Sequence, residues 1–265
     1  MKIWAVANQK GGVGKTTTAV SLGGHLVSLG SRVLLVDMDP QGSMTSYFGF
    51  NPDEIDKSIY TLFQLNDYSH SNVSHVVVPT KIPLLSLMPA STALATLDRQ
   101  LGTKGGKGLV LKKALSVLEK DYDYVIIDCL PMLGILMVNA LAACNTLLLP
   151  VQTEFLALKG LDRMMNTLTM VTRSRKSPLH RTIVPTMFDR RTRASIDSLQ
   201  ALREQYLDDV WESVIPVDTK FREASRQGIP ISMLSRSSRG SQAYEALLTY
   251  LLNPKQERHL KIVNS

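Results

Sequence analysis

Seven short apolar runs recur along the chain: Ile3 to Ala7, Val33 to Val36, Leu84 to Met88, Tyr124 to Ile127, Thr146 to Pro150, Thr182 to Pro185 and Val214 to Pro216. Most are continuous instead of alternating. A strand wetted on one face alternates apolar and polar residues, whereas an unbroken run requires cover on both faces, which parallel sheets receive from their crossover helices. Between the runs, apolar residues at helical spacing predict helices over Thr16 to Leu29, Gly108 to Leu118, Leu156 to Val171, Ile196 to Tyr206 and Gly240 to Leu252. Strands alternating with helices predict an α/β fold, a single doubly wound, mainly parallel sheet with helices on both faces. No linker rich in Pro, Gly or Ser divides the chain and no fixed-period repeat is visible. Residues 1–252 are therefore expected to form one domain, with 253–265 a short polar tail. The connection over 51–81 is long and polar, with one apolar cluster from Ile59 to Leu65, and reads as an inserted surface element that could serve a partner. Thr103 to Lys107 reads as a solvated turn before a helix.

Composition narrows the class. With 44% hydrophobic and 20% charged residues among 265, the chain fills a core and is not a disordered polymer. The formal net charge of +7 is unevenly spread, since residues 1–150 hold 12 Lys and Arg against 11 Asp and Glu, and 151–265 hold 18 against 12. A basic second half suits nucleic acid, an acidic protein or an anionic membrane. Cys129 and Cys144 lie in apolar surroundings without metal or disulfide spacing, and the five histidines are scattered. The N-terminal residues enter a strand directly, and no apolar run approaches bilayer length. Neither a secretory leader nor a membrane span is expected, and the cytoplasm is the expected compartment.

The candidate chemistry starts behind the first strand. Lys10-Gly11-Gly12-Val13-Gly14-Lys15-Thr16-Thr17 joins an apolar strand to a helix pattern, the context of a phosphate-binding loop. Its glycines let backbone N–H groups approach phosphate oxygens, and the following helix adds its positive end. Lys15 is placed to reach the β- and γ-phosphates and the Thr16 hydroxyl to hold Mg²⁺. Gln9 stands where the common spaced motif has its first glycine, and a second lysine, Lys10, opens the loop.

Two acidic strand ends accompany it. Asp37-Met38-Asp39-Pro40-Gln41 follows the second strand at the sheet's carboxyl edge. Asp39, with Pro40 forcing a turn behind it, is the candidate to orient an attacking water. Asp37 supports the loop or contacts the metal through water. The alternative is that both acids cap the helix beginning near Ser43. Asp128 ends the run Tyr124 to Ile127 and has the setting of a Walker B acid that reaches magnesium through a water. The segment from Cys129 to Gly134 is the natural second switch.

These motifs, with Asn139-Ala140-Leu141, Pro150 to Glu154 and Val214-Ile215-Pro216 in the same order, resemble the ParA/MinD superfamily of deviant Walker A ATPases over essentially the whole chain. The resemblance implies an ATP-bound homodimer with slow hydrolysis of ATP to ADP and phosphate, with Lys10 reaching the partner's nucleotide. It also puts Pro216 and Asp218 at the adenine end of the site. Leu130 departs from it, standing where the family has the first of two prolines. The segments Leu62 to Leu65, Ala95 to Arg99, Leu133 to Leu141, Phe155 to Leu161 and Val217 to Arg222 are most similar to ParA-like ATPases that position chemotaxis arrays at bacterial cell poles, which implies a protein partner at an array or polar hub. The rival readings are a DNA-partitioning ATPase and a metabolic P-loop synthetase or reductase. For the first of these, Arg190, Arg191, Arg193, Lys220, Arg222 and Arg226, with Arg236 and Arg239 behind them, would supply a surface for sequence-independent DNA contact. A reductase would need cluster-binding cysteines, and Cys129 and Cys144 make no convincing pair.

Overall fold

Alternate residues of each central strand enter different cores, which is why the runs are continuous. Trp4 and Val6 join one apolar layer and Ala5 and Ala7 the other. Val33 and Leu35 likewise oppose Leu34 and Val36, and Ile126 opposes Val125 and Ile127. The structure, a computed structural model, describes residues 1–97, 107–172, 175 and 179–253. Most of the Thr103 to Lys107 turn, Asp98 and Arg99, and the tail from 254 lie outside the described residues.

The strands are β1 (Lys2–Val6), β2 (Val33–Asp37), β3 (Val78–Pro79), β4 (Leu85–Met88), β5 (Tyr124–Asp128), β6 (Thr146–Gln152) and β7 (His180–Thr186). They form one seven-stranded sheet in the order β3-β4-β2-β5-β1-β6-β7. All pairs are parallel except β3 with β4. Helices α1 (Lys15–Ser28), α2 (Ser43–Tyr47), α3 (Ile59–Gln64), α4 (His70–Ser74), α5 (Val110–Val117), α6 (Ile135–Ala143) and α7 (Phe155–Thr172) precede β7. After it come α8 (Arg193–Gln205), α9 (Lys220–Gln227), α10 (Ile231–Leu234) and α11 (Arg239–Leu252). One layer is filled by Ala19, Leu22 and Leu26 of α1 against Tyr244, Leu247 and Leu248 of α11. The other is filled by α5, α6 and α7 through Leu115, Leu141 and Leu161. Among the described residues, no helix is long and apolar enough to cross a membrane.

Because α1 carries the phosphate loop at its head, its seat matters. The Thr18 hydroxyl pairs with the Tyr244 phenol at 2.8 Å, and Gly24 lets α1 close on the start of α10, where a Cβ would lie 2.2 Å from Pro230 Cβ. Gly24→Ala is expected to lower stability by about 1–3 kcal/mol through overpacking. Gly160→Ala in α7, whose new methyl meets nothing within 4 Å, raises stability by roughly 0.5–1 kcal/mol through helix propensity. Urea midpoints of the two variants check the contrast.

The sequence expectation and the fold differ in four places. The segment Val214 to Pro216 is not a ladder strand. It touches the β7 edge through Ile215 N–H to Pro185 O at 2.8 Å and a single bridge of Pro216 with Phe188, because proline offers no N–H to extend the pairing. The 51–81 connection is no surface appendage, since Ile59, Leu62, Phe63, Val73 and Val76 are buried and β3 closes the sheet edge. Lys220, Arg222 and Arg226 stand on a helix, α9, that has too few apolar residues to show a helical stripe. Methionines within the apolar helical segments are expected to fill the core; Met137 and Met164 are buried, but Met132 and Met170 are exposed.

Candidate functional site

The order β2-β5-β1 brings three carboxyl-terminal strand ends side by side. Asp37 pairs in register with Asp128, and Asp128 with Val6. Adjacent strands lie about 4.8 Å apart, so the loops after β1, β2 and β5 open into one crevice. Residues far apart in the chain thus share one site.

In the loop after β1, Gly12 (φ 73) and Gly14 (φ 89) take the left-handed backbone that a side chain would strain. A Cβ built on Gly11, Gly12 or Gly14 meets nothing within 4 Å, so open space lies before these amides. Gly14 is the N-cap of α1 and supplies no side-chain cap, leaving the first-turn N–H groups free for an anion. Asn8 anchors the loop, accepting the Lys10 N–H at 3.0 Å and donating to Pro150 O at 2.7 Å. The buried Val13 is fixed by the Thr186 hydroxyl, which donates to its carbonyl at 2.9 Å. The Lys15 ammonium folds back to the Lys10 carbonyl at 3.1 Å, and burial draws its pKa down.

Asp128 is buried, and its Oδ2 accepts from the Thr16 hydroxyl at 2.6 Å, while Oδ1 has no partner among the described residues. Burial, reinforced by Asp37 beside it, pushes this carboxyl well above the usual range. A buried oxygen with nothing to bond, beside a hydroxyl at the head of a glycine cradle, fits a magnesium ion held jointly with phosphates. Asp37 is equally buried, yet its oxygens are spent on its own turn. Oδ1 accepts the Asp39 N–H at 3.1 Å, and Oδ2 accepts the Thr45 N–H at 2.8 Å and hydroxyl at 2.7 Å. Burial pushes its pKa to about 6 despite these bonds. Of the roles open to it, loop support is what the geometry carries, and the Thr45 N–H bond makes it a cap of α2 as well. Asp39 is half-buried, its carboxylate close enough to act on Lys15 and Asp128, and among the described residues its side chain is bonded only to the Gln41 N–H, through Oδ1 at 3.0 Å.

Lys10 is ion-paired with Glu154, at the end of β6, and so lies away from the cradle that Lys15 closes. A cleft of about 210 Å³ beside α1 is lined by Thr16, Thr17, Ser21, Ser43, Tyr47 and Phe221. A larger groove of about 410 Å³ on α8, lined by Ile196, Leu199, Arg203 and Leu207, contains none of the loop or strand-end residues. Leu130, the departure in the second switch, is buried in the α5–α7 layer. Asp218 holds two helix starts together, accepting the Lys220 N–H through Oδ1 and the Gly240 N–H through Oδ2, both at 2.9 Å. Pro216 bridges to Phe188 beside it.

That bridge also joins the basic segments. Phe188 N–H donates to Ile215 O at 3.0 Å, and Val217 N–H to Phe188 O at 3.2 Å, so Arg190 and Arg191 follow one strand of the contact and Lys220 and Arg222 the other. Arg239 acts on Asp189, whose carboxyl Arg191 holds down at about 2. Arg191 pairs with Asp189, Arg193 with Asp197 and Lys220 with Glu223, whereas Arg190, Arg222 and Arg226 are exposed without an ion pair among the described residues. The last turn of α2 abuts the end of α9. The Tyr47 phenol donates to Ile229 O at 2.8 Å, and a Cβ on Gly228 (φ 67) would lie 3.0 Å from Tyr47 O.

Asn8, Thr45, Tyr47 and Thr186 escape the sequence reading because each has a partner 45 or more residues away. Glu154 stands at the end of the Pro150 to Glu154 motif, but nothing local in that motif points to Lys10, 144 residues away.

A sequence family described as AAA domain matches residues 1–181. Sporulation initiation inhibitor protein Soj of Bacillus subtilis is 38% identical over 244 residues, covering 92% of this chain and 95% of that protein. Chromosome partitioning protein ParA of Caulobacter vibrioides is 35% identical over 264 residues, covering 98% and 97%. A solved structure of cobyrinic acid a,c-diamide synthase from Mycobacterium smegmatis, with bound ATP analog and magnesium, superposes with a TM-score of 0.81 at 34% identity, covering 96% of this chain and 95% of that one.

Proposed function

This chain belongs to the ParA/MinD family of P-loop ATPases, and on that premise we propose that it is an ATP-dependent dimerising switch that hydrolyses ATP to ADP and phosphate to move a cargo over nonspecifically bound DNA. The glycine amides and Lys15 bind the phosphates, Thr16 and Asp128 hold Mg²⁺, and Asp39 orients the attacking water. Mg²⁺, when bound, neutralises charge on the β- and γ-phosphates. Lys10 leaves Glu154 to reach the nucleotide of a second copy, and Pro216 and Asp218 bound the adenine end. Residues 1–252 act as one domain.

The observation that carries the DNA reading is the joining of two basic segments by the Phe188–Pro216 contact, with Arg190, Arg222 and Arg226 exposed and free of ion pairs among the described residues. Arginines that compete with no carboxylate are available to phosphates. With an ATP analogue and Mg²⁺, we expect binding to random-sequence duplex DNA that weakens steeply with salt. Arg190→Ala with Arg222→Ala should weaken it at least about tenfold and flatten the salt slope by about two. A second reading, array positioning at a cell pole through a protein partner, is favoured by the segments Leu133 to Leu141 and Phe155 to Leu161. Absent DNA binding together with polar fluorescence of a tagged copy would decide for it. The diamide-synthase neighbour keeps a metabolic synthetase as the third reading, and neither outcome is expected of one.

A further inference from the structure

The turn that bears Asp39 is held by a buried polar chain that no part of the loop motif announces. Ala90, just past β4, donates its N–H to the Thr45 hydroxyl at 2.9 Å, and that hydroxyl donates to Asp37 Oδ2 at 2.7 Å. The other oxygen of Asp37 receives the Asp39 N–H at 3.1 Å. Thr45 and Asp37 are both wholly buried, so water cannot replace a missing link. The hydroxyl is fully used, one bond accepted and one donated, and it ties the β2 turn to the neighbouring β4 end. Among the described residues, the Asp39 side chain itself is anchored only within its own turn, by the Gln41 N–H. Its placement therefore depends on the backbone beneath it, and that backbone depends on Asp37.

We propose that Thr45 is a positioning residue for ATP hydrolysis, which orients Asp39 by locking Asp37. The inference rests on the hydrolytic reading given above. Thr45 touches neither the phosphate loop nor the ion pair of Lys10, so its loss displaces the water-orienting carboxylate without removing a phosphate contact. A displacement of that kind lowers turnover and spares substrate binding.

The test compares Thr45→Val, which keeps the shape and removes both bonds, with Thr45→Ser, which keeps the hydroxyl. Expected for Thr45→Val are a kcat for ATP reduced about tenfold or more, a KM within about twofold of the parent, and faster amide exchange at Asp39 to Gly42. Thr45→Ser should recover at least about half of kcat and the exchange protection. Thr45→Val with parental kcat, equal losses in both variants, or a raised KM at constant kcat overturns the proposal. If Thr45→Val does not fold, Thr45→Ala takes its place under the same criteria. Should the parent protein prove unable to hydrolyse ATP, the hydrolytic reading fails, and unchanged exchange at Asp39 to Gly42 in the Val or Ala variant separately overturns the positioning claim.

Discussion

Lys10→Ala is expected to bind ATP within about threefold of the parent yet hydrolyse it about a hundredfold or more slowly, the loss typical of one preorganised charge at a transition state. In the single chain, Lys10 sits on Glu154 and Lys15 alone covers the cradle. On the proposed mechanism, ground-state binding falls to Lys15, the glycine amides and Thr16, and a second chain arriving opposite is what gives Lys10 a phosphate to meet. The resting pair does not obstruct this, because a part-exposed ion pair contributes about 0–1 kcal/mol. Nucleotide titration and phosphate release check the two parts. Normal turnover in Lys10→Ala would remove the shared site from the mechanism.

Asp128→Asn should move stability and activity in opposite directions. Burial and the neighbouring Asp37 raise the Asp128 pKa, so the unfolded chain releases this proton at lower pH than the folded one. Between the ordinary carboxylate range near pH ~4 and the raised folded value, each step up in pH therefore favours unfolding. An amide carries no such charge, and its oxygen still accepts from Thr16. Without nucleotide the variant should be more stable than the parent at pH 7. The gain should shrink to nothing as pH falls below about 4, where the carboxyl is neutral folded and unfolded. With ATP and Mg²⁺, hydrolysis should fall at least about a hundredfold, since a neutral group replaces the acid behind the metal. Thermal melts across pH, beside phosphate release, test both halves. An Asp128→Asn protein that melts lower at pH 7 would refute the charge argument.

What the sequence disclosed follows a physical line. The parallel sheet was legible because Ile3 to Ala7 and Tyr124 to Ile127 are unbroken, which only two-sided burial explains. The loop was legible because cradling a phosphate requires glycines, Lys15 and Thr16 at fixed local spacing. Helix α9 was not, because Lys220 to Gln227 buries only Ala224. Strand β3 is two residues long and exists only through its pairing with β4. Asp37 and Asp39 are told apart in the chain only by Pro40 behind the second. Three dimensions separate them, since Asp37 turns inward to Thr45 whereas Asp39 stays at the crevice. Glu154 and Asn8 act on the loop across more than half the chain, a distance at which no local pattern operates.

The contact of Tyr47 with Gly228 and Ile229 bears on how such proteins diverge. A residue larger than glycine at 228 would meet the carbonyl of Tyr47, and phenylalanine at 47 would strip the Ile229 carbonyl of its donor. The basic helix and the switch beside Asp39 are therefore not separately inheritable modules. A lineage that recruits a new cargo by exchanging the segment from Lys220 onward must keep glycine at 228 and the backbone path behind it, or alter Tyr47 in the same step.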